Sequence, residues 1–300
     1  MKKILMSGGT SLVGSAVARG FLSRGYDVTC ICRLNSRRIN NVPKEAHLID
    51  CPLESYESLN IDNSYDAFIH CAWASTTVAG REDVDVQYKN VGYTLSAVRL
   101  AKRAGCNVFI GAGSQSEYGV KNEPLSSETP VNPTSPYGIA KYAAERFSMA
   151  LCKQQGLRFN WLRILSVFGP NDGATTLMTC LMDNLRARNS PELTKCEQVW
   201  DYLYCDDCAS AFVAVAEKAP DGKVYPLGSG EPRPLKDYVL AAQKIVAPET
   251  PLLFGKKDYY PHQPMFLVAD IKELKNDTGW KPLVSFEEGV KITLSTLLNR

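Results

Sequence analysis

No apolar run in the chain approaches the roughly 18 to 20 residues that a membrane-spanning helix requires, although 45% of its 300 residues are hydrophobic. At the start, MKKILMSGG, only Ile4 to Met6 are apolar before serine and glycines intervene, far short of a signal-peptide core. No membrane contact is expected, and the expected location is cytoplasmic. Excess charge is lacking too. Lys and Arg number 34 against 32 Asp and Glu, a formal +2 without long like-charge blocks, so there is no electrostatic footprint for nucleic acid. Internal repeats and low-complexity tracts are absent. The ten cysteines lack the paired spacing of a zinc site: Cys205 and Cys208 form a C-x-x-C, but Cys180 and Cys196 make no second pair. Cys30, Cys32 and Cys71 fall inside apolar runs, where a free thiol behaves as a small hydrophobe. Reduced cysteines and no metal are the expectation.

For about 165 residues, short β-branched or apolar runs alternate with stretches of helical period, the signature of βαβ units and a parallel sheet. The pattern predicts strands over 4–7, 27–32, 47–49, 67–72, 107–112 and 158–165, and helices over 12–24, 82–104 and 136–155. Beyond Gly169 it loosens: helix 174–188, strand 199–203, helix 206–218, strand 224–227, helix 235–246, a Pro-rich stretch 248–264, and helices 271–277 and 286–298. The implied fold class is α/β: a doubly wound (Rossmann) parallel sheet over 1–165 with a smaller C-terminal α/β substrate lobe over 166–300. A segment near 200–225 is expected to return to the sheet domain.

The first strand runs into GGTSLVG and then a helix, a context that places backbone N–H groups against a pyrophosphate at a helix N-terminus. Gly8 and Gly14 hold the outer positions of the pattern, Leu12 and Val13 open the helix, and Ser11 replaces the middle glycine with a hydroxyl that could donate to phosphate. After the second strand an NAD enzyme places an acid for the ribose 2′-hydroxyl. Here the segment reads CICRLNSRR: Cys32 stands in the acid's place, and Arg33, Arg37 and Arg38 follow, which favours a 2′-phosphate and hence NADP(H). Asp50, followed by Cys51, ends the third strand where it could meet the adenine amino group. HCAWA (His70 to Ala74, with Cys71, Ala72 and Ala74) ends the fourth with small residues that let backbone approach the cofactor.

Tyr137 and Lys141 are four apart at the start of a predicted helix and share one face. Bringing a tyrosine from its ordinary pKa of about 10 to near 7 takes roughly 4 kcal/mol. A lysine ammonium, the positive nicotinamide ring and the helix dipole all act in that direction. Ser114 arrives at the C-terminal end of the preceding strand, NVFIGAGSQSEYG, where open parallel sheets bind ligands.

Together with GGTSLVG, HCAWA, YKNVGYT (Asn90), GSQSEYG, NPTSPYGIAK, LRILSVFGP, WDYLYCDD, YPLGSG and GWKPLVSFEEGV, this trio resembles the extended short-chain dehydrogenase/reductase family, in its nucleotide-sugar epimerase/dehydratase branch, over nearly the whole chain. The resemblance implies that Tyr137 is the general acid/base, that Ser114 hydrogen-bonds the reacting sugar oxygen, and that Lys141 grips the nicotinamide ribose beside Asn90. It further implies Ser75, Thr76, Gln115, Ser116 and Ser166 on the substrate side, and a homodimer through the helices at 82–104 and 136–155. Dehydratases of this branch carry an Asp-Glu pair after the catalytic hydroxyl residue; Gln115 and Ser116 stand there instead. The expected activity is NADPH-dependent reduction of the C4 keto group of a nucleotide-linked 4-dehydro-6-deoxysugar. A 4-epimerase with retained cofactor is the alternative, and a non-catalytic NADP(H)-sensing protein the second. The chain departs from its relatives where they place two arginines on the substrate pyrophosphate: Trp200 and Tyr260 occupy those positions.

Overall fold

Elements and their boundaries come from a computed structural model, which describes residues 2–61, 64–260 and 263–298. The strands are β1 (Lys3–Ser7), β2 (Asp27–Cys32), β3 (His47–Asp50), β4 (Ala67–His70), β5 (Val108–Ser114), β6 (Arg158–Ile164), β7 (Ser166–Phe168), β8 (Val199–Trp200), β9 (Tyr202–Tyr204), β10 (Lys223–Leu227) and β11 (Arg233–Pro234). The helices are α1 (Leu12–Ser23), α2 (Val78–Arg81), α3 (Val84–Arg103), α4 (Pro136–Gln155), α5 (Leu177–Arg186), α6 (Cys205–Lys218), α7 (Leu235–Val246), α8 (Lys272–Thr278) and α9 (Phe286–Leu298).

Seven strands form one parallel sheet in the order β10-β6-β5-β4-β1-β2-β3. The chain winds outward from β1 to β3, then crosses back to β4, so its direction reverses between β1 and β4, the place where such sheets open a ligand crevice. Alternation along each strand divides the core. Ile4 and Met6 face α1 and α6 through Val17, Phe21 and Phe212, while Leu5, Phe68 and Phe109 face α3 and α4 through Val98, Ala144 and Cys152. β10 joins the sheet beside β6, and α6 packs against α1, with Gly20 held close to Ala209.

Capping residues fix the helices that matter for the site. α4 starts at Ser135, whose hydroxyl accepts from Gly138 N–H, has Pro136 in its first turn, and stops at Gly156 with φ +68°. Asp83 caps α3 by accepting from Val86 N–H.

The single strand expected over 199–203 is two strands. β8 pairs antiparallel with β11 and β9 parallel with β7, because Asp201 between them turns its buried carboxylate inward. That carboxylate accepts from the backbone N–H groups of Ser229, Gly230 and Ala269 at 2.6, 3.0 and 3.1 Å. Residues 71 and 72, expected to extend the fourth strand, instead leave the sheet at the crevice. Next to these strands an aromatic cluster of Phe168, Tyr202, Tyr204, Tyr238 and Phe286 packs α7 and α9 onto β7 and β9.

Candidate active site

A cleft of about 490 Å³ opens at the C-terminal ends of β1, β2 and β4. Gly8, Ser11, Arg33, Cys51, Cys71, Ala72, Ala74, Ser75 and Thr76 line it, all singled out in the sequence, together with Ser36 and Trp73, which were not. Gly8 has φ +79°, and a Cβ there would sit 2.5 Å from Ala72 N; one on Gly14 would sit 2.1 Å from Gly8 O. Both glycines are thus demanded by the turn itself. The Ser11 hydroxyl is committed as well: it donates to Gly8 O at 2.9 Å and accepts from Gly14 N–H at 3.0 Å. The hydroxyl expected to donate to a phosphate is thus engaged within the turn, at the wall of the cleft. Helix geometry leaves the N–H groups of Leu12 and Val13 without an intrahelical acceptor, and these are the donors α1 offers to an anion.

The charged residues around the cleft divide. Arg33 and the uncharged Ser36 form its wall beyond β2, and the carboxylate-bearing Glu54 lines it after β3. Arg37 is exposed and outside the lining, and Arg38 lies within electrostatic range of Asp172 instead. Asp50, expected at the adenine, accepts from Leu34 N–H at 3.0 Å and holds the loop that carries Arg33. Asn90, expected at the cofactor, directs its amide elsewhere: Oδ1 accepts from Ala74 N–H at 2.8 Å and Nδ2 donates to Ala74 O at 3.0 Å. One helical turn earlier, the buried Gln87 accepts from the Trp73 indole at 2.8 Å and donates to Ser75 O and Gly80 O at 3.1 and 2.8 Å. These two amides clamp the segment from Trp73 to α2, in which Ser75 takes φ +59°. Beneath it, His70 bridges Ser7 at 2.8 Å and Thr94 at 3.3 Å; burial pushes it down to about 3, so it is neutral.

Ser114, Tyr137 and Lys141 lie together behind Trp73 of the cleft wall. Lys141, fully sequestered on α4, donates to Ala112 O at 2.7 Å and places its ammonium 3.8 Å from the centroid of the Trp73 ring. Burial holds it down to about 8, with Glu117 the largest opposing influence. Tyr137 packs edge-on to Trp73 at 6.0 Å. Burial pushes the phenol up, Arg81 and a hydrogen bond with Ser114 pull it down, and Glu117 pushes it up again. The sequence assigns the stabilising cation to Lys141. In the fold the first opposing charge is Arg81, whose guanidinium lies 4.8 Å from the Tyr137 ring centroid and is anchored by Nε to Thr76 O at 3.0 Å. No sequence signal marked Arg81, because α2 is four residues long and its placement depends on the two amides of α3.

Gln115 and Ser116 form a short 3₁₀ turn after Ser114, whose hydroxyl accepts from Ser116 N–H at 3.2 Å. Ser166 and Trp200 are brought together, the indole N–H donating to Ser166 Oγ at 2.8 Å. Tyr260 is 79% exposed, and among the described residues no hydrogen bond or ring contact joins its side chain to this cluster. A hollow of about 510 Å³ between α1, α6 and Trp280 contains none of these groups and is edged by the ion pairs Arg19–Asp206 and Arg24–Glu217. No cluster of metal-ligating side chains occurs among the described residues.

Two hydroxyls and an ammonium around one point, beside a cleft with a helix N-terminus at its floor, suit proton transfer to or from a single oxygen. A doubly wound parallel sheet carrying Ser, Tyr and Lys in this arrangement defines the short-chain dehydrogenase class. Within it, the chain belongs to the NAD dependent epimerase/dehydratase family, whose model matches residues 4–228. Among its relatives, the CDP-abequose synthase of Salmonella typhimurium is 24% identical and is matched over 98% of each chain. A UDP-glucose 4-epimerase of Corynebacterium glutamicum is also 24% identical, over 93% of this chain and 91% of its own. In fold, the chain is similar to the UDP-glucose 4-epimerase of Thermotoga maritima solved with UDP-glucose, with a TM-score of 0.90, 23% identity and 99% of each chain covered.

Proposed function

We propose that the protein is an NADP(H)-dependent ketoreductase that converts the C4 keto group of a nucleotide-linked 4-dehydro-6-deoxysugar to an alcohol. The observation that carries the reading is the junction of the Ser114–Tyr137–Lys141 cluster with a cleft whose far wall presents Arg33 and Ser36. The N–H groups of Leu12 and Val13 suit the cofactor's pyrophosphate, and Arg33 with Ser36 suits a ribose 2′-phosphate, with Cys32 in place of a repelling acid.

A reduced nicotinamide dinucleotide held by Leu12, Val13, Arg33 and Ser36 would supply the hydride for C4, and the C=O π pair would move onto the oxygen. Tyr137 gives its proton to that oxygen and is left as phenolate, to be reprotonated from solvent. Ser114 donates a hydrogen bond to the same oxygen as charge develops. Lys141 and Arg81 flank the phenolate. Gln115 and Ser116 offer no carboxyl for water elimination. The similarity to a CDP-abequose synthase supports a sugar of this class. NADPH oxidation followed with CDP-, dTDP-, GDP- and UDP-linked 4-dehydro-6-deoxysugars tests the reading; consumption with none of them opposes it.

A relative of equal identity that is a UDP-glucose 4-epimerase favours a second reading, in which the same groups oxidise C4 and reduce it again with retained cofactor. That enzyme would consume no added NADPH. We also propose a homodimer formed by α3 and α4, supported by the exposed apolar side chains of Val84, Tyr88, Ile139 and Phe147 on these helices.

A further inference from the structure

Behind the reacting groups lies a closed ion cluster that the proposed chemistry does not use. Glu117, three residues after Ser114, is 0% exposed, Arg163 on β6 is 4% and Glu145 on α4 is 1%. Glu117 Oε1 accepts from Ser114 N–H at 2.7 Å and from the Trp161 indole at 3.2 Å; Oε2 accepts from Arg163 Nε at 2.8 Å. The same guanidinium reaches Glu145 Oε2 at 2.8 Å and covers the Tyr118 ring at 4.5 Å. Gly113 makes room for the carboxylate, since a Cβ there would stand 2.7 Å from Glu117 Oε1 and 2.2 Å from Trp161 Nε1. Tyr137, Lys141 and Glu145 follow at intervals of four, so one stripe of α4 carries two reacting groups and a member of this cluster.

One guanidinium faces two carboxylates in these closed surroundings. Burial and the neighbouring Glu117 push Glu145 up, and Glu145 as the neutral acid hydrogen-bonds Glu117. Glu117 is the carboxylate that holds Ser114, and its field reaches both Tyr137 and Lys141. A buried ion pair contributes little net stability compared with apolar residues of the same volume, which leaves the fold without a need for this one.

We propose that Glu117 is the positioning residue of the active site: it fixes the backbone of Ser114 so that the hydroxyl meets Tyr137, and supplies the buried negative charge opposite the Lys141 ammonium. The inference rests on the reading of Ser114, Tyr137 and Lys141 as the reacting groups. Glu117→Gln keeps an acceptor for Ser114 N–H but turns an amide donor toward Arg163, so the E117Q/R163M double variant, which removes the stranded cation, is measured beside it.

Loss of the positioning charge lowers kcat about 10- to 100-fold in both variants while KM for NADPH stays within about twofold, the scale of a misplaced catalytic group. Glu145→Gln, which replaces a neutral group by a neutral one, keeps kcat within about twofold of wild type. Titration of absorbance at 295 nm, each protein minus its Tyr137→Phe counterpart, reads the Tyr137 ionisation without turnover. A negative neighbour disfavours phenolate, so removing Glu117 moves that ionisation to lower pH. An unchanged kcat with an unchanged Tyr137 titration in E117Q/R163M overturns the proposal, as does a loss in E145Q equal to that in E117Q. If the wild type reduces no 4-keto sugar nucleotide, the activity reading fails alone, and the 295 nm titration still decides whether Glu117 acts on Tyr137.

Discussion

The Arg81 guanidinium lies over the Tyr137 ring, 4.8 Å from its centroid, and is the strongest charge opposing the rise that burial imposes on the phenol. A cation next to a tyrosine favours phenolate, so Arg81→Gln raises the pKa of Tyr137. A general acid works while protonated, and the alkaline limb of the reduction rate therefore moves to higher pH in this variant. Because Arg81 is exposed and screened, the shift is small. A pH–rate profile of wild type and variant checks it; an alkaline limb that moves down or stays fixed denies Arg81 this role.

Arg33→Ala removes the cation on the far wall of the cleft. Charge-assisted hydrogen bonds are worth about 1.5 to 3 kcal/mol, so affinity for NADPH falls roughly 10- to 150-fold while that for NADH changes little. Fluorescence titration with both cofactors measures the ratio. Equal weakening of the two assigns Arg33 some duty other than reading the 2′-phosphate. Arg37→Ala, outside the lining, leaves the ratio near that of wild type.

His70 links stability to pH. Its hydrogen bonds suit one neutral tautomer: Ser7 hydroxyl donates to Nδ1, and Nε2 donates to Thr94, whose own hydroxyl donates to Asn90 O. The folded value of about 3 lies below the unfolded value of about 6.5, so the unfolded chain binds the extra proton between those limits. The stability is present above pH 6.5 and falls by about 1.4 kcal/mol per unit as pH drops toward 3. Urea unfolding of wild type and His70→Gln across that window checks it, the variant having the shallower slope.

Phe147, 58% exposed on α4, and Tyr88, 77% exposed on α3, would be covered by a second copy of the chain. Phe147→Glu places a charge in that contact and shifts the protein to monomer in light scattering. A wild type that is already monomeric at micromolar concentration removes the dimer.

Much of the sheet was legible in the sequence because a parallel strand buried on both faces reads as a short apolar run and its crossover helix as a 3.6 period. β2 and α4 fall at the expected residues, and β1 and β6 within one. The glycine turn was legible for the same local reason. What escaped depends on contacts distant in sequence. Arg81 reaches Tyr137 only through Gln87, whose amide looks like an ordinary helix-surface group until the loop folds over it, and through Asn90, which the resemblance assigned to the cofactor. The Glu117–Arg163–Glu145 cluster draws on three elements, though the interval Tyr137, Lys141, Glu145 was visible in the sequence. The split at Asp201 was hidden because WDYLY has the apolar and aromatic look of one strand, and only the backbone donors of Ser229, Gly230 and Ala269 draw the carboxylate inward.

The most direct measurement pairs wild type with Tyr137→Phe in stoichiometric NADPH oxidation against the panel of nucleotide-linked 4-dehydro-6-deoxysugars, with product stereochemistry read by NMR. The proposed mechanism predicts one NADPH consumed per C4 alcohol formed, one epimer at C4, and loss of turnover in Tyr137→Phe with NADPH binding retained. Interconversion of C4 epimers without net NADPH consumption, by a protein purified with its dinucleotide bound, would contradict it.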